Sequence, residues 1–333
     1  MSSAEGLPVP IPSGAVVYAR ELTADLFTRF IEYVDARPKT IETYSRAIKR
    51  FYRWTHDQGI TQPNRADILQ YREQIRASLK PGTVQTYIIA LRQFFKWTAQ
   101  EGFYPNIADN VKGAKLDRGH KKDTLTTAQF QDILKRFKVS TEQGARDYAI
   151  IALMVTGCLR DIEVSRADIE DLRPISDSMV LFIQGKGRDE KTEYVKITHQ
   201  VEKAIRRYLS FRRRAGGDTG PKRPLFSSTA KSNRGQRMTP RSISRIVKQA
   251  MRAAGYDSER LTAHSLRHTG ATVNLLNGGT LEETQQLLRH SNISTTMIYL
   301  HHIDRAKNQS ENRIADAIFP GKPAERKAGG KAS

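Results

Sequence analysis

Two segments in the first third of the chain share one sequence pattern. The stretch TIETYSRAIKRFYRWTHDQGI, which begins at Thr40, aligns without gaps with TVQTYIIALRQFFKWTAQEGF, which begins at Thr83. Apolar and aromatic residues recur at three- and four-residue steps in both copies, which is the period of an amphipathic helix. Each copy ends at a glycine, a common helix terminator. The repeat therefore predicts two similar helices that pack together.

Further amphipathic stretches complete a helical module over residues 22–108. One precedes Pro38 and another follows Pro63, so the module is expected to hold four or five helices. Basic side chains are interleaved along these helices, as they are in a module that grips the phosphate backbone of duplex DNA. Plain helix packing explains the repeat equally well. The basic residues concerned are Lys39, Arg46, Lys49, Arg50, Arg53, Lys80, Arg92 and Lys96.

Net charge is the most informative bulk property. The 333 residues include 55 Lys and Arg against 35 Asp and Glu, a formal charge of +20. An excess of this size points to a polyanionic partner, first of all nucleic acid, because each cation placed near a phosphate releases a condensed counterion. A merely basic surface, or affinity for anionic lipid, is the alternative interpretation.

The lack of membrane and export signals and the single cysteine indicate the compartment in which the protein works. The chain has no apolar run long enough to cross a bilayer, and its first residues do not resemble a signal peptide. Its single cysteine, Cys158, excludes an intramolecular disulfide and a cysteine-based metal cluster. We therefore expect a cytoplasmic, nucleoid-associated protein with no membrane partner, whose residues 1–21 form a flexible leader.

The rest of the chain has the pattern of a second domain. Residues 109–123 are polar and basic and are interpreted as a linker, and the second domain is expected to span residues 124–319. An apolar helix is expected to run into Arg160, and two β-rich arms, 179–184 and 192–197, predict a hairpin. Helical stretches follow, ending with SENRIADAIF. Residues 320–333 are predicted to be a disordered basic tail.

Chemically suggestive residues fall into three separated clusters. The first holds Arg160 and Glu163, and the second holds Lys186 in a hairpin turn. The third holds His264, Arg267, His290 and Tyr299. Taken singly, each has an ordinary explanation: an i, i+3 ion pair, a solvated lysine or a core tyrosine. A metal site on His264 and His268 is disfavoured, because Ser265 stands where a zinc-protease motif requires glutamate and no third ligand is evident.

A phosphodiester substrate accounts better for the whole set. In-line attack on phosphorus builds negative charge on the non-bridging oxygens, and two arginines can hold that charge with bidentate forks. Histidine can accept a proton from a nucleophile near neutral pH, and lysine can protonate a departing oxygen. A tyrosine nucleophile keeps the step reversible, because phenolate is a good leaving group.

In this order and spacing, the residues resemble the catalytic signature of tyrosine recombinases, the phage-integrase and Xer-type family. The resemblance implies a mainly α fold with a small β-sheet: an N-terminal helical core-binding (SAM-like) domain and an α+β catalytic domain that together clamp DNA. It assigns the scissile phosphate to Arg160 and Arg267. It further implies the following roles: Lys186 as general acid, His264 as general base and phosphate ligand, His290 as a donor to the phosphate, Glu163 as the residue that orients an arginine, and Tyr299 as the nucleophile that forms a 3′-phosphotyrosine.

The resemblance also implies the partners of the chain. It predicts paired double-stranded DNA sites, a homo-oligomer that is a tetramer on DNA, and no metal or nucleotide cofactor. Accessory DNA-bending proteins stay unspecified. The last helix, with Ile314, Ala317 and Ile318 as its apolar stripe, is expected to pack either on its own domain or on a neighbouring subunit.

Two positions depart from the family pattern. Cys158 stands where relatives commonly have glycine, so a turn with positive φ there would be strained. Arg289 replaces a glycine before the second histidine, and either a phosphate contact or a solvated side chain is expected for it. Integration or excision of a mobile element and resolution of DNA multimers both fit the sequence. A DNA-binding protein without catalysis and a type IB topoisomerase are the alternatives from other classes.

Overall fold

The structure is a computed structural model that describes residues 22–115, 123–185 and 188–297, together with Ile314 and Ile318. The chain divides into two compact units, Met1–Gly119 and His120–Ser333. The described residues are mainly helical and include one small antiparallel sheet, which confirms the predicted fold class.

The first unit is a helical module. Its helices are α1 (Ala24–Tyr33), α2 (Pro38–Asp57), α3 (Arg65–Ser78) and α4 (Pro81–Gln100). Aromatic side chains dominate its core: Phe30 and Phe94 meet edge to face with ring centroids 5.4 Å apart, and Phe51 and Tyr71 do so at 5.1 Å. Large aromatic rings dominate the energetics of a core of this kind.

The two copies of the sequence repeat form α2 and α4, which pack against each other. Each helix begins with a proline whose fixed φ suits the first helical turn. Each ends before a glycine with positive φ, Gly59 at 67° and Gly102 at 71°. The repeat is thus structural as well as sequential, and both predicted helices are confirmed.

The second unit combines helices with the sheet. Within the described residues its helices are α5 (Thr127–Lys135), α6 (Glu142–Thr156), α7 (Asp161–Arg166), α8 (His199–Arg214), α9 (Pro240–Ala253), α10 (Ala263–Leu276), α11 (Leu281–Leu288) and α12 (Ser294–Met297). The apolar helix α6 is central, because it contacts α8, α10, α7 and α9. Its buried residues, among them Ile150, Leu153 and Met154, belong to the main core of the unit.

The sheet has the strand order β1–β2–β3, with β1 at Leu172–Ile175, β2 at Ser178–Ile183 and β3 at Glu193–Lys196. The predicted hairpin corresponds to β2 and β3, in which Leu181 pairs with Val195. Strand β1 was not predicted. It is short, largely exposed and contains Pro174, so it lacks the alternation that marks a strand and lies at the edge, where proline is tolerated.

Near the C-terminus, Ile314 and Ile318 are helical and exposed, at 58% and 62% of their surface. These two residues of the predicted apolar stripe are therefore not buried on their own domain. A search of the described residues finds no helix that is both long and apolar enough to span a membrane.

Candidate active site

The turn between α6 and α7 sets the position of Arg160. The prediction that α6 runs into Arg160 is wrong, because the helix ends at Thr156. The Leu159 N–H donates to the Met154 carbonyl and the Cys158 N–H to the Val155 carbonyl, the two bonds of a Schellman C-cap. Cys158 takes the left-handed position of this cap with φ 46°, so the strained turn expected from its sequence is present. Such a conformation costs a non-glycine residue about 1–2 kcal/mol.

Arg160 lies at the N-terminus of α7 and is held there by Glu163. Its guanidinium donates to Glu163 Oε1 at 2.8 Å, and its backbone N–H donates to Glu163 Oε2 at 2.8 Å. The Glu163 side chain is fully buried, whereas the Arg160 side chain keeps 25% of its surface exposed. The expectation that Glu163 orients an arginine agrees with this geometry. A buried carboxylate fixes the guanidinium while its outer face stays accessible.

Helix α10 carries His264 and Arg267 at its N-terminal end. His264 is exposed, and its ring meets that of His268 edge to face with centroids 4.6 Å apart. Arg267 is fully buried and donates to the backbone carbonyls of Cys158 and Leu288. Arg267 therefore ties the turn before Arg160 to the end of α11.

The end of α11 repeats the device found at the end of α6. The Arg289 N–H donates to the Gln286 carbonyl and the His290 N–H to the Gln285 carbonyl, which again form a Schellman C-cap. Arg289 takes the left-handed position with φ 54°. Its side chain is 8% exposed and donates to Glu163 Oε2 at 2.9 Å. The expectation that Arg289 is solvated is therefore wrong, and the alternative of a phosphate contact stays a prediction.

His290 follows this turn and is half-buried. Its Nδ1 lies 3.0 Å from Thr296 Oγ1, a buried hydroxyl on α12. Burial, followed by the charges of Arg267, Arg160, Arg289 and His264, lowers the pKa of His290 from 6.5 to about 4. The imidazole is therefore neutral at pH 7, and protonation on acidification must overcome these cations. The three arginines therefore lie close enough to His290 for their charge to act on its ring.

Sequence reasoning missed two residues that support the site. Thr296 is one, and its only signal was a small polar residue six positions after His290. Gly270 is the other: a Cβ at this position would lie 2.3 Å from the Val155 carbonyl oxygen and 2.7 Å from Cys158 Sγ. Gly270 thus permits the close approach of α10 to the end of α6. A glycine inside a predicted helix was the available signal.

The remaining predicted site residues stand apart. Lys186 and Tyr299 lie outside the described residues, so their predicted roles stay predictions. In the first unit, all of the basic residues predicted to contact DNA are exposed, on α2, at the start of α4 or along α4. Lys39 and Arg46 also pair with Glu42, at 2.6 and 2.7 Å. Exposure is what a phosphate contact requires, and it does not by itself establish one.

The second unit thus links three guanidiniums through one buried carboxylate and one backbone carbonyl. Arg160 and Arg289 share Glu163, and Arg267 and Arg289 share the Cys158 carbonyl. With His290 neutral, the cluster of Arg160, Arg267, Arg289 and Glu163 carries an excess of two positive charges. Such a site attracts an anion and stabilises charge that develops on phosphate oxygens. Among the described residues, no group of three or more His, Cys, Asp or Glu side chains is arranged to hold a metal ion.

Comparison with known families matches both units. The sequence pattern described as the phage integrase family matches residues 123–306, more than half of the chain. The pattern described as the phage integrase N-terminal SAM-like domain matches residues 24–103.

Individual relatives show the same similarity. The chain is 28% identical over 192 residues to a tyrosine recombinase of Synechococcus elongatus, a match that covers 57% of this chain and 58% of the relative. It is 37% identical over 160 residues to the tyrosine recombinase XerC of Corynebacterium glutamicum, and this match covers 48% of each chain. The matched part is therefore less than two thirds of the length of either relative.

A solved structure has the same fold. A crystal structure of the XerH site-specific recombinase, bound to a palindromic difH substrate in a post-cleavage complex, aligns with a TM-score of 0.66 at 20% identity. The alignment covers 84% of this chain and 78% of the other.

Proposed function

The chain belongs to the phage integrase family, and on that basis we propose that it is a site-specific DNA recombinase that cuts and rejoins duplex DNA without a metal ion. The observation that carries the proposal is the pairing of Arg160 and Arg289 with one buried carboxylate, Glu163, together with Arg267, which shares the Cys158 carbonyl with Arg289. Its excess positive charge suits a scissile phosphate. The relatives named as tyrosine recombinases support the same activity.

The proposed chemistry is a transesterification at one phosphodiester. The Tyr299 hydroxyl loses its proton to His264, its oxygen bonds to phosphorus, and the bond from phosphorus to the 5′-oxygen breaks. The product is a 3′-phosphotyrosine and a free 5′-hydroxyl, which receives its proton from Lys186. Attack by a 5′-hydroxyl of another strand then reverses the step, so no external energy source is needed.

The described residues supply the environment for this step. Arg160 keeps a partly exposed side chain, and the buried Arg267 donates to the Cys158 and Leu288 carbonyls. His290 is neutral at pH 7. If its Nδ1 accepts the Thr296 hydroxyl proton, its Nε2–H is available to donate to a phosphate oxygen.

The proposed assembly is a homo-oligomer on paired duplex sites. The exposure of Ile314 and Ile318, which are both helical, supports a C-terminal helix that a neighbouring subunit buries, because exposed large apolar side chains favour a partner surface. A solved lambda integrase tetramer bound to a Holliday junction has the same fold, with a TM-score of 0.62 at 17% identity. The biological roles we propose are integration or excision of a mobile element, or resolution of DNA multimers.

Covalent trapping tests the proposed function. A half-site duplex with a nick close to the cleavage position should trap a protein–DNA adduct that survives SDS, because the cut strand end diffuses away. Tyr299→Phe should bind the same DNA with unchanged affinity and give no adduct. An adduct formed by the Phe variant would refute the nucleophile assignment. A DNA-binding protein without catalysis would give no adduct with either protein, and a topoisomerase would give one without joining strands from two sites.

A further inference from the structure

Arg289 occupies a position that its backbone disfavours. Its φ of 54° lies in the left-handed region, where glycine fits without strain. Gly59 and Gly102 take the corresponding positions after α2 and α4. Strained non-glycine residues persist where the surrounding structure holds them, and they cluster at functional sites. We therefore expect the side chain of Arg289 to have a functional role.

That side chain binds the interior of the proposed active site. Arg289 Nη2 donates to Glu163 Oε2 at 2.9 Å and to the Cys158 carbonyl at 3.2 Å, and Nη1 donates to the Gly157 carbonyl at 3.3 Å. Nη1 also donates to the Leu287 carbonyl, in its own helix, at 2.7 Å. With 8% of its surface exposed, the side chain is covered by protein rather than presented to DNA.

The contact with Glu163 links Arg289 to Arg160. Glu163 has 0% of its side chain exposed, and its oxygens accept from the Arg160 guanidinium, the Arg160 backbone N–H and Arg289. Without Arg289, the buried carboxylate would pair with Arg160 alone and offset more of its positive charge. With Arg289 present, the two arginines share the negative charge of Glu163, so Arg160 attracts a phosphate more strongly.

The contact with Cys158 links Arg289 to Arg267. The Cys158 carbonyl accepts from both guanidiniums, and this carbonyl belongs to the strained turn that precedes Arg160. Arg267 also binds the Leu288 carbonyl, which adjoins Arg289. The two left-handed turns are therefore cross-linked through arginines, and His290 follows the second turn directly.

We propose that Arg289 is a positioning residue that aligns Arg160 and Arg267 for the scissile phosphate, through Glu163 and the Cys158 carbonyl. The inference rests on the proposed function. Because protein covers the Arg289 side chain, the proposal has it act on the rate of the chemical step rather than on DNA binding. Small displacements of groups that contact a transition state are enough for a large loss of rate.

The test separates binding from chemistry on the nicked half-site. Arg289→Gly relieves the backbone strain and removes the guanidinium. We expect its rate of adduct formation to fall on the order of 10- to 100-fold. Its Kd for the half-site should change by less than about threefold, because a buried arginine displaces no counterions from DNA. Arg289→Lys should be intermediate in rate, since one ammonium restores the charge without the fork.

Glu163→Gln completes a double-mutant cycle. If Arg289 acts through the carboxylate, Arg289→Gly should slow the Glu163→Gln protein by much less than it slows the wild type. Arg212→Met is the matched control: Arg212 is also buried and donates to a carbonyl, that of Pro224, at 2.7 Å. Its loss should reduce DNA binding and adduct formation by the same factor, which is set by the fraction of the protein that is folded.

Three results would overturn the proposal. The first is an Arg289→Gly protein that forms the adduct at the wild-type rate. The second is an equal loss of rate on Arg289→Gly substitution with and without the Glu163 carboxylate. The third is a loss of affinity for the half-site that matches the loss of rate. If Arg289→Gly does not fold, Arg289→Lys decides the question by the same comparison of rate and Kd. A wild-type protein that forms no adduct would instead refute the proposed function, and the inference with it.

Discussion

At the scale of single residues, seven of the described helix ends use the same left-handed backbone device, five of them with glycine. Gly59 and Gly102 end the paired helices of the first unit, whereas Cys158 and Arg289 end α6 and α11 in the second. The left-handed conformation costs each non-glycine residue about 1–2 kcal/mol. Both strained residues lie in the proposed active site, where Arg267 and Arg289 bind the Cys158 carbonyl. Glycine, which the left-handed conformation favours, is thus replaced at the two helix ends in the site and kept at the other five.

The strain at Cys158 predicts a reversal of the usual preference for alanine over glycine. Cys158→Gly should be more stable than Cys158→Ala by about 1 kcal/mol, since both lose the buried sulfur but only glycine relieves the positive φ. Ala152, inside α6, is the control, where glycine should be less stable than alanine by about 1 kcal/mol. Urea unfolding of the variants measures both differences. Glycine being the less stable residue at both positions would show that the turn at residue 158 is unstrained.

At the scale of elements, α10 is the helix on which the site depends. It carries His264 and Arg267, and it contacts α6, α9 and α11. Thr269 on the same helix accepts a hydrogen bond from the Leu125 N–H at 2.9 Å. Gly270 allows the helix to lie against the last turn of α6. The spacing between Arg267 and the Cys158 carbonyl therefore depends on residue 270 having no side chain.

Gly270→Ala should therefore disturb both stability and activity. Its Cβ would overlap the Val155 carbonyl and Cys158 Sγ, and we expect a loss of about 1–3 kcal/mol with slower adduct formation. Gly82→Ala is the matched control. Gly82 also lies in a helix, and no atom is within 4 Å of the place that an alanine Cβ would take, so alanine should stabilise by about 0.5–1 kcal/mol. Thermal unfolding of both variants tests the contrast, and equal effects would contradict the close approach.

At the scale of the whole molecule, the basic side chains have two roles: some are buried and structural, and others are exposed. In the second unit, Arg267 and Arg289 are buried and bind carbonyls and a carboxylate. In the first unit, the predicted DNA-contact residues are exposed. The net charge of +20 therefore combines internal structural cations with cations available to a polyanion.

The exposed cations of the first unit predict a specific salt dependence. If Arg92 and Lys96 each contact a phosphate, replacing both with glutamine should reduce the slope of log K against log salt by about 2. Arg252→Gln is the control, because that exposed arginine already pairs with Asp257 at 3.0 Å in the other unit. Fluorescence anisotropy with duplex DNA over a range of salt concentrations measures the slopes. An unchanged slope would remove Arg92 and Lys96 from the DNA interface.

Short-range sequence patterns predicted several helices and strands of this protein, as well as its family. Periodicity and terminal glycines predicted α2 and α4, and β-rich arms predicted the β2–β3 hairpin, because these signals act between residues that are close in the chain. The order of Arg160, Glu163, His264, Arg267 and His290 indicated the family. The predicted roles of Lys186 and Tyr299 rest on the sequence, since the structure does not describe them.

Tertiary structure alone decided what Arg289 does. The residue lies 126 positions from Glu163 in the chain, and no periodicity or spacing links residues so far apart. The folded packing of α6, α10 and α11 brings the two together, and a buried carboxylate then requires cationic partners because an unpaired charge in the interior is strongly disfavoured. The sequence by itself identified the residues suited to phosphate chemistry. Packing determined which of them face outward and which hold the others in place.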